Sequence, residues 1–308
     1  MSDLSEKFIS VKKYGNLKDY REESVSEEVI EIENFTRKEA FEMEKHGFFF
    51  MPNKITYARK TVDFDSLVKE LSKRKRQYLK KYIENSKVLD IVKSRPIDEK
   101  IYKKWYKEVY VPEITSKEHG AVLAEKDWCN IDLDSCEKVG IFFKDGEKFV
   151  AGAVSRSYPK DVYPKRLSIS YYATGDKFKD LGVNFYLNLL MIDLASKCGY
   201  KDIFIGKDTN LYGKHLNSGV SIFKMSIGYE ILAHKKNPDM LIKFNNLDEF
   251  GDVLFFASYA KDSDKLIGNV ILNNIEKSVD EYKRSFFLKL RVFNFVNGKL
   301  KLLEELDL

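Results

Sequence analysis

Between Arg166 and Glu230 the chain changes its apolar period several times in one short stretch, and this constrains the fold more than any other feature. RLSISYYA (166–173) alternates as a strand does. A polar loop with a single glycine, DKFKDLGVN, leads into a helical run over 183–198. DIFIG (202–206) is a short apolar run bounded by polar residues, which reads as a buried strand. A polar loop follows, then a short helix that Ser218 can cap and Gly228 can end. YEILAHK (229–235) returns as a strand. Strands and helices alternating in this way point to a sheet with helices packed on it.

Composition sets the bounds around that stretch. A chain of 308 residues is enough for two units of about 150 residues. Hydrophobic residues make up 44% and charged residues 33%, which allows both a substantial core and a solvated surface. No apolar run reaches the ~18 residues of a membrane span, and MSDLSEKFISVKKYG lacks an apolar signal core. A cytoplasmic protein is the expectation. Cys129, Cys136 and Cys198 are an odd set at no metal-ligand spacing, and His46, His119, His215 and His234 form no ligand pattern, so no metal is expected. The net charge of +5 does not by itself call for nucleic acid.

Outside the central stretch, VIEIENF (29–35) alternates as a strand, and T-R-K-E from Thr36 to Glu39 is a capping box. The helix it opens stops at Gly47. Strands are expected at 48–51 and 55–60. Residues 64–84 read as one long helix whose outer face carries K-R-K-R-Q-Y-L-K-K (73–81). A strand at 88–94 precedes a helix at 97–110, which Pro112 should end. Residues 139–144 and 147–155 form a hairpin about Asp145-Gly146. Three strand-like runs, 253–260, 266–272 and 286–295, fill the C-terminal part, and β-rich termini invite pairing.

From 88 to 235 the order is β-α-(α)-β-β-β-α-β-α-β. With the glycine loop K-D-L-G-V-N (179–184), the run G-Y-K-D-I-F-I-G (199–206) and the F-K-x-x-x-G at 223–228, it resembles the GNAT superfamily of N-acyltransferases, over about half of the chain. The last two motifs look like the Fem-type branch, which includes aminoacyl-tRNA-dependent peptidyltransferases. The resemblance implies an α+β fold: a GNAT-like mixed sheet, splayed between its middle strands and flanked by helices. A partial N-terminal α/β unit (1–85) would precede the GNAT-like core (86–240), with a C-terminal strand extension (241–308).

It also implies sites. Lys179, Gly182, Val183 and Asn184 occupy the place where the superfamily holds the pyrophosphate of acyl-CoA, on free amides at a helix N-terminus. Asn184 departs from the small residue usual there, which puts CoA in particular in doubt. The alternative is an ordinary loop-to-helix joint. Phe223-Lys224 matches the pair that sets a lysine at the reaction centre of Fem-type enzymes, where a cation can stabilise an oxyanion. Lys224 equally fits the surface of an amphipathic helix. Asp208 lies where a strand runs out, the end at which α/β sheets gather ligands, or in a solvated turn. Tyr172 is a candidate acid for a leaving group, though strand aromatics usually pack. His215 is a candidate base or a solvated loop residue. Arg74 and Arg76 can meet phosphate or tRNA, or belong to a solvated face.

The function implied is transfer of an activated acyl group, from acyl-CoA or an acyl-carrier protein, to a small-molecule or peptide amine. No tightly bound cofactor is expected; the acyl donor is a co-substrate. The altered glycine loop, Phe223-Lys224 and the basic helix favour a second reading, a Fem-type transferase that takes its acyl group from aminoacyl-tRNA. A third is a non-catalytic binding protein that kept the fold, which burial of Lys224 and Asp208 in structural salt bridges would fit.

Overall fold

The computed structural model describes the chain except for residues 1–10, 21–28, 118–121, 126–136, 158–165, 213–217, 235–236, 246–251, 262, 264, 274–276 and 297–298. In chain order its strands are β1 (Val11–Tyr14), β2 (Val29–Ile32), β3 (Phe49–Pro52), β4 (Lys54–Lys60), β5 (Asp90–Ser94), β6 (Lys138–Asp145), β7 (Lys148–Ser157), β8 (Arg166–Thr174), β9 (Asp202–Thr209), β10 (Glu230–Ala233), β11 (Asp239–Phe244), β12 (Val253–Tyr259), β13 (Leu266–Leu272), β14 (Lys289–Val296) and β15 (Lys299–Asp307). The architecture is α+β, with mixed sheets flanked by helices. Two compact units share the chain. One comprises Tyr57–Gly206 and Ile227–Tyr229; the other comprises Met1–Thr56, Lys207–Ser226 and Glu230–Leu308.

The unit centred on Tyr57–Gly206 holds six neighbouring strands of a seven-stranded sheet, in the order β4-β9-β8-β7-β6-β5. β5 to β8 pair antiparallel in sequence, and β8 and β9 pair parallel. The parallel pairing covers only Arg166–Ile169 and Asp202–Ile205, so β8 and β9 part beyond it. This is the splay implied by the resemblance. Side chains alternate along β8 and dress its two faces differently. Tyr171 and Ala173 join an aromatic core with Tyr102, Trp105, Tyr106, Tyr110, Phe142 and Phe149. Tyr172 and Thr174 bond to Asn184 at the start of the helix Val183–Lys197. One helical layer therefore covers each face. Gly152 is what lets Trp105 approach the sheet closely, since a Cβ there would sit 2.6 Å from the indole Nε1.

Two helices differ from the expectation. The single helix over 64–84 is two, Phe64–Glu70 and Lys73–Asn85. Leu71 turns extended between them, and the Ser72 hydroxyl accepts from the Lys75 amide, starting the second helix afresh. A capping serine inside a continuous apolar period is a local signal that periodicity overrides on paper but not in the chain. Pro112 does not end the second helix. Glu99–Trp105 passes through a wider turn at Tyr106–Tyr110 into Val111–Thr115, where Pro112 falls in the first turn and needs no donor.

The other unit stacks two four-stranded sheets, β1-β2-β11-β3 and β12-β13-β14-β15. Phe49, Met51, Met240, Ile242 and Phe244 from the first pack against Leu254, Phe256 and Ile271 from the second. The rings of Phe49 and Phe256 meet edge to face at 4.9 Å. Each such buried phenylalanine contributes roughly 2–3 kcal/mol. Ile30, Ile32, Phe48, Phe50 and Leu241 point the other way, onto Ala40 of the helix Arg37–Met43, which opens with the expected Thr36–Glu39 capping box. β1, β11 and β15 have no counterpart among the expected strands.

One polar side chain ties this unit together. Asn210 is fully buried; its Nδ2 donates to the carbonyls of Pro52, at 2.8 Å, and Ala257, at 2.6 Å, and its Oδ1 accepts from the Ala257 amide at 2.9 Å. The segment after β9 is thereby fastened to the end of β3 and the middle of β12. Asn210→Ala should lower unfolding stability by about 3 kcal/mol, the sum of three net hydrogen bonds and the unpaired groups left behind, in a urea titration.

Candidate functional site

The site is built on the extended residues that follow the apolar part of β9. Past Thr209 the chain bends at Asn210 and reaches Tyr212, whose amide and carbonyl each bond to Phe255 at 2.8 Å. Asn210 belongs to the core, not to a cleft wall. Asp208 and Tyr212 bracket it, and the Tyr212 hydroxyl donates to Asp208 Oδ2 at 2.8 Å.

The helix Ser218–Ser226 supplies the cation. Lys224 Nζ lies 2.5 Å from the same Asp208 Oδ2, with 10% of the lysine side chain and 16% of the aspartate side chain exposed. Removing two charges from water is costly, and the mutual attraction offsets this only where further hydrogen bonds complete the carboxylate. Tyr212 provides one. Phe223, beside Lys224, is half-buried. Thr209 accepts from Lys54 Nζ at 2.8 Å, which steadies the same strand end. The structure thus brings Lys224 and Asp208 together and adds Tyr212, which the sequence reading did not single out. Its signal in the sequence is proximity alone, four residues beyond Asp208.

The remaining candidate residues belong to the other unit, apart from His215, which lies outside the described residues. Tyr172 donates to the Asn184 carbonyl at 2.6 Å and accepts from Asn188 Nδ2 at 2.7 Å. Burial, with Tyr229 nearby, holds its phenol well above the ordinary tyrosine range, so it stays neutral and is a weak acid. Lys179 is 2.5 Å from Glu113 and 2.6 Å from Asp176. Burial pulls its ammonium down, but pairing with the two carboxylates outweighs this and raises it. Gly182 starts the Val183–Lys197 helix with φ +75° and is buried beneath Tyr82, whose ring a Cβ would meet at 2.1 Å. Val183 is buried, and the Asn184 side chain accepts from Thr174 at 2.8 Å. All four residues of the glycine loop are engaged within the protein.

On the basic helix the two arginines differ. Arg76 donates to the carbonyls of Leu71, at 2.8 Å, and Lys69, at 3.3 Å, closing the break between the two helices. Arg74 is exposed, stacked over Tyr78 with its Nε 3.0 Å from the phenol oxygen. No described helix is long and apolar enough to cross a membrane.

No family model matches the chain, and no curated protein does. Solved structures do. That of FemX aligns with a TM-score of 0.47 at 11% identity, over 71% of this chain and 72% of that one. L-PGS from Bacillus licheniformis aligns with a TM-score of 0.38 at 15% identity, over 71% and 68%. A GCN5-related N-acetyltransferase from Sphaerobacter thermophilus aligns with a TM-score of 0.39 at 10% identity, over 70% and 59%. The chain is similar to these structures, at low identity.

Proposed function

We propose that this chain transfers an activated acyl group to an amine, with an aminoacyl ester on tRNA as the donor. The observation that carries the proposal is the Lys224–Asp208–Tyr212 cluster. An amine attacking an ester carbonyl forms a C–N bond and drives charge onto the carbonyl oxygen; the C–O bond then breaks, the amine loses a proton and the leaving oxygen gains one. A fixed ammonium in a water-poor setting is the group that stabilises such an oxyanion, and it need not move as the charge develops. In this reading Lys224 meets the oxyanion, Asp208 positions Lys224, and Tyr212 positions Asp208.

The ester on tRNA is favoured over a CoA thioester by the state of the glycine loop. A pyrophosphate cradle needs accessible amides at a helix start, whereas Gly182 lies under Tyr82 and Lys179 is already paired with two carboxylates. The exposed cations of the Lys73–Asn85 helix suit a polyanionic donor. A second reading, a non-catalytic chain that kept the fold, draws on the same buried ion pair, because such a pair can also serve stability alone.

Two outcomes are expected. Lys224→Met should cut turnover by ~100-fold or more on the best amine found with charged-tRNA donors, as loss of a single oxyanion-stabilising group does. It should also cost about 3 kcal/mol of stability by stranding Asp208. Lys224→Met/Asp208→Asn removes both charges and should restore stability while activity stays lost. Activity that returns with stability would leave the lysine a purely structural residue. On the basic helix, Arg74→Gln should weaken tRNA binding and flatten its salt dependence by roughly one unit of log–log slope, read by titration from low to high salt. Arg76→Gln should instead lower the melting temperature, because its guanidinium is committed to the helix junction.

A further inference from the structure

The last strand of the chain is an edge built to meet another strand. β15 closes the order β12-β13-β14-β15, and among the described residues no strand pairs with its outer side. Its nine residues present about 30 Å of unpaired amides and carbonyls. Leu302 is 48% exposed and Leu303 43%, an unusual placement for adjacent leucines in the middle of a strand. Long apolar edges are sites of association unless charge, proline or cover blunts them.

β15 does carry charge, but the charge is ordered. Lys299 and Lys301 stand before the two leucines; Glu304, Glu305 and Asp307 stand after them. Such an order repels a parallel copy of itself and attracts an antiparallel one. The pairing with β14 also fixes which residues share a face. Lys301 lies opposite Asn294 and Glu304 opposite Val292, with Leu303 the extra residue where the register shifts. Asn294 and Val292 are two apart on one strand, so Lys301 and Glu304 project to the same face. Glu305 is already held by Lys289 at 2.6 Å and Arg291 at 2.7 Å, whereas Glu304 is exposed.

We propose that β15 pairs antiparallel with β15 of a second copy of this chain, about a two-fold axis passing between Leu302 and Leu303. That register sets Lys301 of each copy opposite Glu304 of the other, two cross-strand ion pairs related by the axis. It also buries Leu302 and Leu303 against their counterparts. Opposite charges directly across an antiparallel pair are stabilising and like charges destabilising. The contact is isologous, the same patch on both copies, and it joins two four-stranded sheets into one of eight.

Sedimentation velocity of the full chain over a concentration series tests this. The chain should be a dimer. Lys301→Glu places like charges across the axis and should weaken dimerisation by about tenfold or more. Lys301→Glu/Glu304→Lys reverses both partners and should restore it. Both positions are exposed, so circular dichroism should show an unchanged fold in each variant. A chain that stays monomeric, a Lys301→Glu variant as dimeric as the parent, or a double variant that fails to recover would each overturn the proposal.

Discussion

The carboxamide of Asn210 is the interaction on which the candidate site depends. It joins the exit of β9 to both sheets of its unit, through Pro52 at the end of β3 and Ala257 within β12. A buried amide leaves no slack: its donors and acceptor must all be met, or the desolvation cost is not recovered. Meeting them fixes the path from Asp208 to Tyr212, whose phenol then reaches the Asp208 carboxylate. Lys224 then needs only the short helix after that path to bring its ammonium to Asp208. The order of cause runs from a neutral hydrogen-bonded core residue to a charged pair at its margin.

The two units solve different packing problems with the same alternation of side chains. In the unit around Tyr57–Gly206, β8 offers Tyr171 to an aromatic layer and Tyr172 to a polar one. After Ile169 β8 no longer pairs with β9, and Tyr172, paired only with β7, has its hydroxyl satisfied by Asn184 and Asn188. In the other unit both faces of the β1-β2-β11-β3 sheet are apolar, one for a helix and one for a second sheet. That second sheet ends in β15, whose adjacent exposed leucines contrast with the closed core behind β14.

Much of this was legible from periodicity and end signals. The Thr36–Glu39 box, the glycine stop at Gly47, the hairpin about Gly146 and the run from β8 to β10 appear where local chemistry puts them. These features are short-range, and short-range features are written in adjacent residues. The division of 64–84 into two helices is also written locally, in Ser72, but there it competes with a continuous apolar period. β1, β11 and β15 were missed because each is defined by its partner. KLKLLEELD shows no clean alternation, and only pairing with β14 makes it a strand.

The sequence alone determined most of the elements between β2 and β14 and the residues available for chemistry, because backbone propensity and apolar period act within a few residues. Tertiary structure decided which of those residues act together. Asp208 and Lys224 are sixteen positions apart and share an ion pair only because Asn210 fastens the intervening chain to strands far away in sequence. Gly182, legible as a phosphate-binding glycine, also packs beneath Tyr82, a hundred residues earlier. Burial of that kind is a property of contacts distant along the chain, and no local pattern encodes it.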